Sequence, residues 1–229
     1  MPRIARVIAA GFPHHITQRG NNHATVFFDD EDRQTYLKLL AAYTQKHNVH
    51  IWAYCLMGNH VHLLAVPETE TALSRGIGLT NQMYTHYINR KLEQTGRIWQ
   101  NRFFSCVVGS EQYLWAVARY IERNPLKAGL AATAEAYPWS SAKAHISGTA
   151  DPLLHGHPWL SPQEQQAYSG FVSMADEDID NAIRKATRTG RPFGPESFID
   201  RLELQLNQSL KPGKPGRPRK ITQETGECP

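Results

Sequence analysis

Apolar and polar positions alternate and recur along this chain in a pattern that lays out its first half element by element. Residues 14–20 (His-His-Ile-Thr-Gln-Arg-Gly) read as a short strand, closed by turn material at Gly20-Asn21-Asn22. The acidic run Asp29 to Asp32 supplies a helix start, and Tyr36, Leu37, Leu40 and Tyr43 recur at helical spacing until about His47-Asn48. Residues 50–57 favour a strand, Gly58-Asn59 is a two-residue hairpin signal, and residues 60–66 return as a second strand that Pro67 stops. Leu73, Ile77, Tyr84 and Ile88 place a second helix over about 71–92, broken before Gly96. A further strand is expected at 103–108. Ser110 then serves as N-cap of a helix to about Arg123, where Pro125 disfavours helical geometry at Asn124.

The resulting order, strand–helix–strand–strand–helix–strand, predicts an α+β fold: a ferredoxin-like βαββαβ sandwich with an antiparallel sheet covered on one face. After Trp139 the pattern loosens. Residues 140–170, with Pro152, Pro158 and Pro162, read as irregular structure with short helices, while 179–187 and 198–210 fit two helices. The organisation expected is a main domain over 1–146, a mainly helical and irregular C-terminal extension over 147–210, and a basic tail over 211–229 that cannot hold a packed core and is disordered when free.

Composition narrows the class. Among 229 residues, 41% are apolar and 20% charged, enough for a buried core, and no apolar run approaches the length of a membrane helix. No clear cleavable leader is present, and Cys55, Cys106 and Cys228 are too scattered for a disulfide framework, so a reducing, cytoplasmic setting fits best. The net charge of +4 is unevenly placed. Residues 1–183 hold 15 Lys/Arg against 16 Asp/Glu, residues 184–220 hold 10 against 3, and two more glutamates follow. A near-neutral body with a basic C-terminal region points to a polyanionic partner.

The sharpest chemical feature is His60-Val61-His62 after the Gly-Asn turn. Side chains two apart on a strand share a face, with Cα atoms about 6.6–7 Å apart. Two imidazoles so placed can converge on a divalent ion, while Val61 points into the core. The tripeptide alone fits two surface histidines equally well. Tyr120 and Asn124 lie one helical turn apart, so a phenol and an amide oxygen share a face. A tyrosine nucleophile needs help, because its ordinary pKa is about 10. A nearby cation supplies that help and polarises a phosphate oxygen. The alternative is a half-buried core tyrosine and an asparagine that only ends a helix. Tyr113, about two turns earlier, is a rival tyrosine; Val117 stands where its polar ligand would be, which puts it in the core. No Walker-type phosphate loop is present.

Residues 57–64 (Met-Gly-Asn-His-Val-His-Leu-Leu) and 119–129 (Arg-Tyr-Ile-Glu-Arg-Asn-Pro-Leu-Lys-Ala-Gly) together resemble the single-tyrosine HUH transposases, and within them the REP-associated tyrosine transposases. Residues 15–22 and 99–103 fit the same pattern, so the resemblance covers about 10–146. It implies a ferredoxin-like fold and a metal-dependent enzyme of bacterial cytoplasm and nucleoid that cleaves and rejoins single-stranded DNA at hairpins of palindromic repeats. Tyr120 would form a 5′-phosphotyrosine link. His60, His62 and Asn124 would hold Mg2+ or Mn2+. Arg19, Asn21, Arg97, Trp99 and Arg102, with Phe103 as a lesser candidate, flank the proposed site as DNA-binding residues. Gly216-Arg217-Pro218-Arg219-Lys220 is similar to a minor-groove-binding hook, which adds Arg217, Arg219 and Lys220; a solubilising tail is the equal alternative. The protein would be a monomer or a homodimer. A non-catalytic, domesticated hairpin-binding protein is the second reading, and a small metallohydrolase that leaves Tyr120 idle is the third.

Overall fold

The computed structural model describes residues 6–109, 111–154 and 160–211. Its first half follows the predicted order: β1 (His14–Arg19), α1 (Asp30–Lys46), β2 (Val49–Met57), β3 (His60–Pro67), α2 (Ala72–Lys91), β4 (Phe104–Val107) and α3 (Glu111–Glu122). The four strands form one antiparallel sheet in the order β2-β3-β1-β4, so β1 lies in the middle and pairs with β3 and β4. This is the ferredoxin-like arrangement the sequence predicts. The expected N-cap, Ser110, lies outside the described residues.

Local chemistry sets the element ends. Asp29 and Asp32 close α1 with a reciprocal capping box, each side chain accepting a backbone N–H of the other's position. In the hairpin, Met57 pairs with His60 across the two-residue Gly58-Asn59 turn. A register shift between Ile51 and Ala53 changes which face of β2 looks where. Ile51, Tyr54 and Leu56 pack with Val61, Leu63, α1 and α2 on one face. Ala53, Cys55 and Met57 turn to the other face, against Leu64 and α3.

The sheet is therefore covered on both faces, which corrects the expectation of a single covered face. The second cover comes largely from the C-terminal extension. After α4 (Asn124–Lys127), a single turn with Pro125 at its start, come α5 (Ala142–Ser147), α6 (Pro162–Ser173), α7 (Glu177–Thr189) and α8 (Glu196–Leu206). Helix α6 lies where irregular structure with short helices was expected, and it runs on past residue 170. Its signal was present as Ser161-Pro162-Gln163-Glu164, a capping box with proline in the first turn. Tyr168 and Val172 of α6 and Ile183 of α7 join Val117 and Ile121 of α3 in the second core. Helix α8 seals the far end with Phe198 and Leu202 against Val7, Ala9 and Val107.

The extension is also tied in by polar groups. Glu122, fully buried on α3, accepts hydrogen bonds from Ser141 Oγ, from His145 Nδ1 on α5 and from the Tyr168 hydroxyl on α6. A buried carboxylate requires such donors, since an unpaired one costs several kcal/mol (of order 3–5 when a partner is removed). Helix α3, which carries Tyr120, is thus held in place by residues distant in sequence.

His14 is fully buried and locked as one neutral tautomer. Its Nδ1–H donates to the Phe12 carbonyl (2.8 Å), and its Nε2 accepts the Ala9 N–H (3.2 Å). Burial pushes its pKa down to about 4 from the ordinary 6.5. A histidine held neutral in the fold contributes stability above its unfolded pKa, and that stability is lost as pH falls from 6.5 towards 4. Thermal unfolding followed from pH 8 to 5 should show His14 costing about 2 kcal/mol by pH 5. His14→Gln, which can donate and accept at the same places, should give a visibly shallower pH dependence; an unchanged slope would mean that His14 does not stay neutral in the fold.

Candidate active site

The face of β1 and β3 that looks towards α3 and α7 opens into a cavity of about 610 Å3. Strand alternation explains who meets there. His15, Thr17 and Arg19 share one face of β1, His60 and His62 share the matching face of β3, and Thr17 and Arg19 pair across the ladder with His62 and His60. Val61 points the other way, into the core, as the sequence predicts. Tyr120 enters from α3, and Asn181, Arg184, Lys185, Thr187 and Arg188 enter from α7.

The rings pack tightly. His15 and His62 lie parallel with centroids 5.3 Å apart, His60 stands edge-on to His62 at 5.0 Å, and Tyr120 is edge-on to both His15 (5.6 Å) and His62 (5.4 Å). Hydrogen bonds then fix where each imidazole carries its proton. Thr187 Oγ1 donates to the Ile183 carbonyl (2.9 Å) and so must accept from His15 Nδ1 (2.7 Å). With its proton on Nδ1, His15 offers a lone pair at Nε2, which accepts the His62 Nδ1–H (3.1 Å). His62 is left with an unprotonated Nε2. The same logic applies to His60: Asn59 Nδ2 donates to the His23 carbonyl, which turns Asn59 Oδ1 to accept the His60 Nδ1–H (2.6 Å). His60 Nε2 is likewise unprotonated. Hydrogen bonds at one ring nitrogen commonly prepare the other as a metal ligand in this way.

Burial keeps these rings neutral. The pKa of His15 is pushed down to about 3 by loss of solvation alone. That of His60 is pushed down to about 4 by burial, with the charges of Arg19 and His23 adding to it. His62 lies well below its ordinary value for the same first reason, with His60 and His15 next to it. The Tyr120 phenol is pushed up by burial, and the neighbouring Arg184 guanidinium pulls it back. The floor of the cavity is neutral and its positive charge comes from Arg19, Arg184, Lys185 and Arg188 on its walls.

The loop beside the site has no room to spare. A Cβ on Gly20 would lie 2.2 Å from the Ala24 carbonyl oxygen, so only glycine lets the chain turn there and bring His23 to the cavity rim.

Of the residues singled out from sequence, Tyr120, His60, His62 and Arg19 line this one cavity. Asn124 does not. Its amide Nδ2 donates to the Tyr120 carbonyl at 2.6 Å, folding the side chain against its own helix. Asn21 is exposed on the 3-10 turn after β1. Arg102 lines a separate groove of about 310 Å3 on the α2 side of the sheet, and Arg97 is exposed but lines neither space. Trp99 lines the same groove as Arg102 but is largely buried against Tyr36 and Tyr84, and its indole N–H donates to the Asn81 carbonyl. Phe103 is buried too, beneath the Arg6 guanidinium. Tyr113 packs edge-on against Phe193 and stays out of the cavity. Arg217, Arg219 and Lys220 lie outside the described residues. Sequence reasoning missed His15, Thr187 and the basic face of α7.

Two unprotonated imidazole nitrogens from one strand face suit a divalent cation of borderline softness. Among the described residues, no three His, Cys, Asp or Glu side chains are grouped to hold a metal. Within the described residues, no helix is long and apolar enough to cross a membrane.

Comparison with known proteins places this geometry. Residues 11–124, about half of the chain, match the family described as "Transposase IS200 like". A Haemophilus influenzae protein, "Putative REP-associated tyrosine transposase", is 27% identical over 99 residues; the match covers 39% of this chain and 56% of that relative, little more than half its length. The solved structure of a REP-associated tyrosine transposase bound to a REP hairpin superposes with a TM-score of 0.57 over 71% of this chain and 96% of that one, a likeness of fold at 18% identity. The matched segment runs from the turn before β1 through Tyr120 to Asn124, and so contains the whole histidine and tyrosine floor of the cavity. The chain is a member of the IS200-like transposase family, and its similarity within that family is to the REP-associated tyrosine transposases.

Proposed function

We propose that this protein cleaves and rejoins single-stranded DNA at hairpin-forming palindromic repeats, with Tyr120 as the nucleophile. One observation carries the reading: the Tyr120 phenol shares a cavity with two imidazoles whose outward nitrogens are unprotonated, inside a ring of cations. The family membership and a relative of like fold solved with a REP hairpin support the substrate class.

The chemistry is a transesterification. The Tyr120 oxygen attacks the scissile phosphorus, the P–O3′ bond breaks, and a 5′-phosphotyrosine forms beside a free 3′-OH. The phenol loses a proton and the departing 3′-oxygen gains one, so neither water nor a nucleotide cofactor enters the balance. Because the phosphoester is conserved, a 3′-OH reverses the step and rejoins a strand. Arg184 stands beside the phenol and favours its anion, while burial opposes it. His60 and His62 would hold Mg2+ or Mn2+, two nitrogen donors suiting Mn2+ at least as well. When bound, such a cation polarises phosphate oxygens and favours the phenolate. Asn124 would offer its Oδ1 as a third ligand, while its Nδ2 donates to the Tyr120 carbonyl.

Covalent trapping on a denaturing gel tests the nucleophile. Purified protein with Mn2+ or Mg2+ and end-labelled hairpin DNAs should give an adduct that is abolished in Tyr120→Phe and retained in Tyr113→Phe. Loss only in Tyr113→Phe would overturn the assignment, and tight hairpin binding with no adduct would favour a non-catalytic binding protein.

Electron paramagnetic resonance of Mn2+ titrated into the full chain tests the ligands. His60→Ala or His62→Ala should weaken binding at least about tenfold. Asn124→Ala should cost less, because that side chain does not line the cavity. An equal loss in all three would mean that the amide is already a full ligand.

A further inference from the structure

The cavity wall opposite the histidines belongs to the C-terminal extension, beyond the segment that the family match covers. Asn181, Arg184, Lys185 and Arg188 recur at i, i+3, i+4 and i+7, so one face of α7 looks into the site. Three of these four side chains are cationic, and Arg19 faces them from the end of β1. Among the described residues, no carboxylate lines the cavity. Glu177 and Asp180, one or two turns back on α7, pair with Arg184 at 3.5 and 4.0 Å, but both also pair with Lys127. Among the described residues, Lys185 and Arg188 have no ion-pair partner; both are exposed. Buried anchors hold the face in position: Ile183 in the core, and Thr187 against His15 and Cys106.

Resting on the transferase reading above, we propose that α7 is a phosphate-binding wall, in which Arg184 and Arg188, assisted by Lys185, hold the scissile phosphate and its neighbour along the single strand. Arginine suits this task because its planar fork grips a phosphate through two N–H donors. Arg184 and Arg188 sit one turn apart, about 6 Å along the helix, so they address successive positions of one strand and not a single group. The role assigned to residues 177–189 is therefore substrate binding, with the helix as much a part of the active site as the histidine strand.

The test reads phosphate contacts without requiring the recognition sequence. Fluorescein-labelled oligothymidylate is titrated into the full chain in EDTA, so that no strand is cut, across a series of salt concentrations. Each single-strand phosphate contact contributes about 0.7 to the slope of log affinity against log salt. Arg184→Gln with Arg188→Gln should lower that slope by about 1.4 and weaken binding at least about tenfold at low salt. Arg184→Lys with Arg188→Lys, which keeps the charge, should recover most of the slope. Both arginines are exposed on a helix surface, and a thermal melt confirms that the variants stay folded. An unchanged slope would overturn the proposal. Tighter binding by the glutamine variant would also overturn it, because α7 would then be a cover that keeps DNA out. The outcome is separable from the transferase reading: a lowered slope with no Tyr120 adduct leaves the wall standing and removes the enzyme, whereas an adduct with an unchanged slope does the reverse.

Discussion

A directed run of hydrogen bonds, from Thr187 through His15 to His62, is the constraint on which the site depends. Its direction is set at the far end, where the Thr187 hydroxyl spends its only proton on the Ile183 carbonyl. Every later choice follows: His15 must donate from Nδ1 and accept at Nε2, and His62 must donate from Nδ1. Both rings are buried, and burial removes the alternative of a charged imidazolium that would donate from both nitrogens. A neutral, oriented His62 is thus produced by a helix 125 residues further along the chain. His60 reaches the same state through the unrelated Asn59–His23 contact, which belongs to the hairpin turn and the loop after β1.

This wiring explains why the C-terminal extension packs against the sheet instead of trailing from it. The hydroxyl of Thr187 meets Cys106 on β4 as well as His15 on β1, so α7 bridges two neighbouring strands. Glu122 performs a comparable service for α3, gathering α5, α6 and the Ser141 turn around one buried charge. Neither network is cheap in free energy, since each buries polar groups that water would otherwise solvate. What they give in return is position: the phenol, the imidazoles and the basic face of α7 are fixed around one cavity.

Much of this was legible in the sequence because it is local. Strand alternation, the Gly58-Asn59 turn and helical spacing located seven elements and put His60 and His62 on one face with Val61 behind them. Tyr120 was separable from Tyr113 by what stands four residues on. The remainder is non-local. His15 read as one residue of a short strand, because the partner that gives it a role lies 172 residues away. Trp99 lies beside basic residues in sequence, yet a large ring next to Tyr36 and Tyr84 is worth more in the core than in water. Asn124 shares a helical face with Tyr120, but its amide N–H folds back onto the carbonyl one turn before it and the side chain does not line the cavity. The second cover of the sheet depended on one irregular residue pair in β2 and on helices whose charged faces gave no sign of what they would pack against.

The most direct test of this account is nitrogen-15 NMR of histidine-labelled protein at pH 7, resolving His15, His60 and His62 by single substitution. All three are predicted to be neutral, with the proton on Nδ1 and Nε2 unprotonated, and Thr187→Val should disturb His15 and His62 while leaving His60 unchanged. Protons on Nε2 of His60 and His62, or imidazolium signals at pH 7, would contradict it.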